Sequence, residues 1–202
     1  MTEPSRTAAE PPAGSGGPSH PLADYVVPSR DMGDLAVKKT EFSSVFGDHP
    51  AGVAVLTARG PEGPVGLTVS SVSSVSAEPP IIGFSLHAGS GSAALVAQAD
   101  SLLVHLLDAP HIALARAFST HGAPRFGDAM DWEWLPTGEP LLAGVGRVLR
   151  VHPLVRIQAG PALVFNAGVT QVLGAEANGA PLVYHRRQFH SLSGGSALDY
   201  SI

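Results

Sequence analysis

From Gly66 to Ala77 small hydroxyl residues alternate with aliphatic ones, and the run stops at Glu78-Pro79-Pro80. Alternation with a period of two is the pattern of a strand with one buried face. Leu67 and Val69 are then expected to face a core, with Thr68 on the other side. Two successive prolines cannot donate to a sheet ladder, so the chain must break there. A half-buried strand does not need hydroxyls at Thr68, Ser70, Ser71, Ser73, Ser74 and Ser76 together. Beside backbone N–H groups, such a row can hydrogen-bond an anion or the polar edge of a ring without adding bulk or charge. The segment therefore reads both as a strand and as a binding edge.

The rest of the chain repeats the theme of short strands and abrupt turns. Twenty-three glycines and eighteen prolines in 202 residues favour a turn-rich, mainly β fold over a βαβ array. Strands are expected at 51–59, 65–71, 81–87, 102–107, 144–152, 162–173 and 181–192. The Gly60-Pro61-Glu62-Gly63-Pro64 cluster makes a hairpin of the first two. Asp34 is placed to cap a helix carrying Leu35, Lys38, Phe42, Val45 and Phe46. Two further short helices are expected at 92–99 and 111–118. Trp132 and Trp134 share one face of a strand, as packing groups or a pocket wall. Residues 1–30 are rich in Pro, Gly, Ser and Ala and read as a disordered tail. Residues 34–192 then form one domain, and 193–202 a C-terminal tail.

Composition narrows the function. With 44% apolar residues and 14% charged, the chain has enough to bury for a single core. The net charge of −5 comes without a basic patch, which argues against a nucleic-acid partner. No cysteine is present, so thiolate chemistry and disulfides are excluded and a cytoplasmic location is expected. No apolar run approaches the ~20 residues of a membrane span, and no signal peptide is visible. The nine histidines show no metal-ligand spacing, so no metal site is expected. Gly144-Val145-Gly146 lacks the third glycine and the following helix of a dinucleotide fingerprint.

Taken together, the motifs resemble one family. Gly66-Leu67-Thr68-Val69-Ser70-Ser71 running into Pro79-Pro80 resembles the flavin-contacting strand of the flavin reductase-like, FMN-binding split barrels. In register with it, Pro50-Ala51-Gly52-Val53 resembles the family's first strand, Phe84-Ser85-Leu86 with Ser90 and Ser92 its second flavin strand, and Phe118 with Arg125-Phe126 a later element. Gly138-Glu139-Pro140-Leu141-Leu142 and Pro181-Leu182-Val183-Tyr184-His185 complete the series, over roughly residues 40–192. The resemblance implies a split β-barrel with a few short helices, acting as a homodimer.

It also implies a site. Thr68, Val69, Ser70, Ser71, Ser85, Leu86, Ser90, Ser92, Phe118, Arg125 and Phe126 are the expected FMN or FAD contacts, with no catalytic residue assigned. Arg125 suits a phosphate because a guanidinium can donate two parallel hydrogen bonds. Ser90 and Ser92 stand where a helix start presents free N–H groups. The implied activity is hydride transfer from NAD(P)H to flavin, with reduced flavin passed to a partner monooxygenase. The chain departs from the family at Gly160-Pro161-Ala162, where flavin reductases usually carry Gly-Asp-His. That departure frames the alternative: a barrel without reductase chemistry that folds and cyclises an apolar natural-product intermediate by positioning alone.

Overall fold

The computed structural model describes residues 37–198. The expected tail over 1–30 and the Asp34 cap lie outside the described residues. Helix α1 (Lys39–Phe46) leads into β1 (Ala51–Gly52), β2 (Ala54–Gly60), β3 (Gly63–Val69), β4 (Ser73–Ala77) and β5 (Pro80–Leu86). Helix α2 (Gly91–Gln98), β6 (Leu102–Leu106), a 3-10 turn at Ala109–His111 and α3 (Ile112–Ser119) follow. The chain continues through β7 (Trp132–Trp134), β8 (Pro140–Leu142), β9 (Arg147–Ala159), β10 (Ala162–Ala175), β11 (Leu182–His185) and β12 (Gln188–Ser191).

Seven strands form one antiparallel sheet in the order β3-β2-β6-β9-β10-β5-β4. Its two edges, β3 and β4, are successive in the chain, so Ser70-Ser71-Val72 must cross from one edge to the other. The sheet curls to permit this, and Ser71 at the crossing is hydrogen-bonded to Ser85 of β5. The result is a barrel left open at one seam. The expected split β-barrel is the fold.

Both faces of the central strands are covered. On β2, Ala54, Leu56 and Ala58 join Phe84, Val96, Leu102, Val104 and Phe165 in one cluster. On the opposite face Val53 and Val55 join Leu103, Ala115, Phe118, Leu142 and Leu182 in a second. Alternate residues of one strand thus serve two cores, as period two dictates. Full burial of each large aliphatic or aromatic side chain contributes about 1.5–3 kcal/mol. His105 is wholly buried among them, its ring between the Val55 carbonyl and the Leu142 N–H.

Three expectations are corrected. The run from Gly66 to Ser76 is two strands, because Ser70–Val72 leave the ladder to cross the seam. The strand expected at 144–152 begins at Arg147 and runs on to Ala159, since the sheet accommodates Pro153: the register shifts between Asn166 and Ala167, and Leu154 is left over as a bulge. The strand expected at 181–192 is a hairpin, with Arg186 and Arg187 as its two-residue turn at φ 49° and 61°. Turns of that hand normally use Asn-Gly, and no such signal marks this one.

Candidate functional site

Three cavities adjoin along β3. One of about 620 Å³ lies between Pro64–Thr68, the start of α2, and Ser119, Arg125 and Phe126. A smaller one of about 260 Å³ shares Thr68 and Ser119 with it and adds Val69, Ser70, Tyr184 and Arg187. The third, about 650 Å³, shares Ser70, Tyr184 and Arg187 and extends over Ser71–Ser73, Ser85, His49 and His185. Together they make a trough that follows the open edge of the barrel from Pro64 to Ser73.

The sheet edge explains why the trough lies there. An edge strand presents N–H and C=O groups without a strand neighbour, and Ser70–Val72 belong to no strand at all. Thr68 donates its hydroxyl to the Ala115 carbonyl at 2.8 Å, tying β3 to α3. Ser71 donates to the Ser85 carbonyl at 3.1 Å and accepts the Ser85 N–H at 3.0 Å. The Ser70 side chain has no hydrogen-bond partner among the described residues and lines two of the three cavities.

At the other end of the trough the phosphate-type elements come together. Ser90 stands at the N-cap of α2 with extended backbone and makes no side-chain capping bond, so its hydroxyl is unspent. Gly91 follows at φ 63°, a left-handed conformation that glycine tolerates without a Cβ penalty. Ser92 accepts a hydrogen bond from Arg125 Nη1 at 3.0 Å. Arg125 is otherwise committed to backbone: Nε to the Ala117 carbonyl, Nη1 to Gly66 and Nη2 to Thr120, at 3.1, 3.0 and 2.7 Å. Four of its five N–H groups are therefore engaged. Arg125 clamps β3 to α3 and leaves one N–H for the cavity.

The remaining expected residues divide between wall and core. Phe118 is 1% exposed and packs beneath Gly66, where an added Cβ would lie 2.8 Å from its ring and 2.7 Å from the Leu56 carbonyl. Phe126, at φ 57°, meets Phe118 and Trp132 edge-on, with 5.2 Å between ring centroids in each pair. Val69 is buried in the core and reaches only the smallest cavity. Leu86 is 2% exposed in the same core and lines none of the three cavities, because the β5 alternation turns Ser85 to the trough and Leu86 inward.

Sequence reasoning missed His49, Tyr184, His185 and Arg187, which close the trough opposite the serines. They come from the loop before β1 and the β11–β12 hairpin, brought together because β1 pairs with β11, Ala51 opposite Tyr184 and Gly52 opposite Val183. No local pattern in the chain marks that pairing. Gly160-Pro161-Ala162 forms the β9–β10 turn, with Gly160 at φ 57°, and lines none of these cavities.

The trough fits a flavin nucleotide. It offers a hydroxyl and unpaired edge groups for a ring's polar rim, the Leu67, Val72 and Tyr184 side chains as walls, and a helix start with two serines for a phosphate. Among the described residues no group of three or more His, Asp or Glu could hold a metal ion, and no helix is long and apolar enough to cross a membrane.

An open barrel with a nucleotide-sized trough at its seam defines the class, and the comparisons name the family. The sequence profile of the flavin reductase like domain matches residues 46–193. An NADH:FMN oxidoreductase of Rhodococcus erythropolis is 37% identical over 153 residues, 74% of this chain and 80% of that one. The reductase component of a 4-nitrophenol 4-monooxygenase/4-nitrocatechol 2-monooxygenase of Rhodococcus opacus is 30% identical over 152 residues, 75% of this chain and 80% of that one. The crystal structure of a flavin reductase domain protein from Arthrobacter sp. FB24 superposes with a TM-score of 0.73 at 30% identity, over 82% of this chain and all of that one. The chain belongs to the flavin reductase-like family.

Proposed function

We propose that this protein is an NAD(P)H-dependent flavin reductase that binds FMN and supplies reduced flavin to a separate monooxygenase. The trough along the open seam carries the reading, because it joins a helix-start phosphate site to a hydroxyl-lined sheet edge in a chain of this family. Relatives named as an NADH:FMN oxidoreductase and as the reductase component of a monooxygenase support it. Bound flavin supplies the redox chemistry, as acceptor of a hydride. The chain's own residues bind and orient: Ser90 and the α2 start hold the phosphate end, Arg125 keeps β3 against α3, and Ser70 with the free edge groups fixes the ring. Leu67, Val72 and Tyr184 exclude water from its faces. The relatives reported above carry reductase names, which support this reading over a cyclase.

A homodimer is part of the reading. Leu154, Val155 and Ile157 on the outer half of β9 are 59%, 43% and 54% exposed, a patch of the kind that marks an interface. Phe42, Val45 and Phe46 of α1 are exposed as well, Phe42 and Phe46 stacked on each other. A second copy of the chain is the partner that makes such a surface self-complementary about a two-fold axis. The cell compartment in keeping with this work is the cytoplasm.

Three measurements test the proposal. FMN added to the purified full chain should bind with a shift in its absorption bands, and NADH should then be oxidised at a rate above that of free FMN. A protein that neither binds FMN nor oxidises NADH ends the reductase reading. Light scattering returning a monomer mass at micromolar concentration ends the dimer.

A further inference from the structure

The geometry points to Arg187 as a phosphoryl-binding residue of the trough, aimed at the diphosphate of the nicotinamide dinucleotide; this rests on the reductase reading. Arg186 and Arg187 are the central residues of the hairpin turn between His185 and Gln188, both in the left-handed region at φ 49° and 61°. Neither has the short polar side chain or missing Cβ that makes this backbone comfortable. Strain of this kind persists where the surroundings over-determine it and clusters at binding sites.

The two arginines are used differently. Arg186 donates from Nε to Asp48 at 2.5 Å, and its N–H bonds the Gly47 carbonyl at 3.2 Å. These two bonds anchor the turn to the loop after α1. Arg187 has no hydrogen-bond or ion-pair partner among the described residues, and it lines both the 260 Å³ and the 650 Å³ cavities. Anchoring of Arg186 holds its neighbour over the trough.

Charge selects the ligand. In a chain of net charge −5, the 650 Å³ cavity is lined by Arg186, Arg187, His49 and His185 and by no carboxylate. A guanidinium with all five donors free above a row of serine hydroxyls suits phosphate oxygens. The flavin's own phosphate has a place at the far end of the trough, at Ser90 and Ser92. That leaves the Arg187 end for the second nucleotide.

The test uses the full chain with Arg187→Met, and Arg187→Lys to ask whether charge alone rescues. With Arg187→Met, the KM for NADH should rise about tenfold or more, the loss of a charge-assisted contact. The KM for reduced nicotinamide riboside, which has no phosphate, and the dissociation constant of FMN should hold. A rise in the FMN dissociation constant with riboflavin unchanged would put Arg187 on the flavin's phosphate and overturn its assignment to the dinucleotide. Equal losses for phosphorylated and phosphate-free ligands, or no change in any, overturn the proposal. Calorimetric titration with pyrophosphate needs neither flavin nor turnover. Pyrophosphate binding that disappears in Arg187→Met sustains the site even where the reductase assay is silent, and binding that is absent or unaffected by the substitution counts against it.

Discussion

Ser71 and Ser85 exchange two hydrogen bonds, Ser71 Oγ accepting the Ser85 N–H at 3.0 Å and donating to the Ser85 carbonyl at 3.1 Å. One side chain thereby takes the place of a neighbouring backbone across the seam where β3 crosses to β4. It holds the barrel nearly closed without completing a ladder, so the edge beside it stays available to a ligand.

Ser70 and Ser71 should therefore respond differently to mutation. Ser71→Ala removes two bonds of roughly 0.5–1.5 kcal/mol each and should lower the urea midpoint accordingly. Ser70→Ala should leave the midpoint in place and weaken FMN binding by several-fold, read by fluorescence titration. Equal behaviour of the two variants in both assays would mean that the seam and the ligand edge are not separate.

Gly66 is fixed by close packing. Its added Cβ would meet the Leu56 carbonyl at 2.7 Å and the Phe118 ring at 2.8 Å, and the carbonyl cannot move without breaking β2. Gly66→Ala should cost about 1–3 kcal/mol, the range for overpacking. It should also loosen the Arg125 clamp, which uses the Gly66 carbonyl. A melting temperature equal to that of the native protein would contradict this.

His105 and Glu139 should divide the acid side of the stability profile between them. Leu142 donates its N–H to His105 Nε2 at 3.1 Å, so the ring proton sits on Nδ1, donated to the Val55 carbonyl at 3.2 Å. Burial lowers the His105 pKa from 6.5 to about 4, against the opposing pull of that carbonyl. Below pH 6.5 the unfolded chain binds a proton that the folded chain refuses, so stability falls as pH falls from 6.5 towards 4. At 1.36 kcal/mol per unit the loss reaches about 3 kcal/mol. Burial raises the Glu139 pKa, but hydrogen bonds from Ser101, Thr137 and Arg150 outweigh it and bring it from 4.5 to about 2. Its stabilisation is present above 4.5 and lost between 4.5 and 2. Urea midpoints should thus already decline between pH 6.5 and 4.5, and His105→Leu should flatten that window from a lower plateau. A native midpoint that is constant across it would refute the assignment.

Pro161→Asp with Ala162→His tests the departure at the β9–β10 turn. Gly160, at φ 57°, keeps the turn, so the substitution should not disturb the fold. If an imidazole there seats the nicotinamide, the variant should oxidise NADH about ten- to a hundredfold faster, the equivalent of 1.5–3 kcal/mol. Unchanged turnover at saturating FMN would show that this chain seats the dinucleotide by other residues.

Local physics was enough for much of this protein. Period-two alternation, Pro79-Pro80 and the 60–64 turn cluster determine a mainly β chain and two of its breaks, whereas those at Ser70–Val72 and Arg186–Arg187 appear only in the fold. The motif series along 40–192 carried the family and the serine edge. The tertiary structure decided what each polar group is free to do. Arg125 reads as a phosphate ligand until Gly66, 59 residues away in sequence, takes one of its donors along with the Ala117 and Thr120 carbonyls. Leu86 reads as a flavin contact until strand pairing turns it into the core. Arg187 reads as part of a strand until Asp48, 138 residues from Arg186, anchors the turn beside it. Propensity and alternation are properties of neighbours along the chain, whereas an arginine's free donors depend on which distant carbonyls and carboxylates folding brings to it.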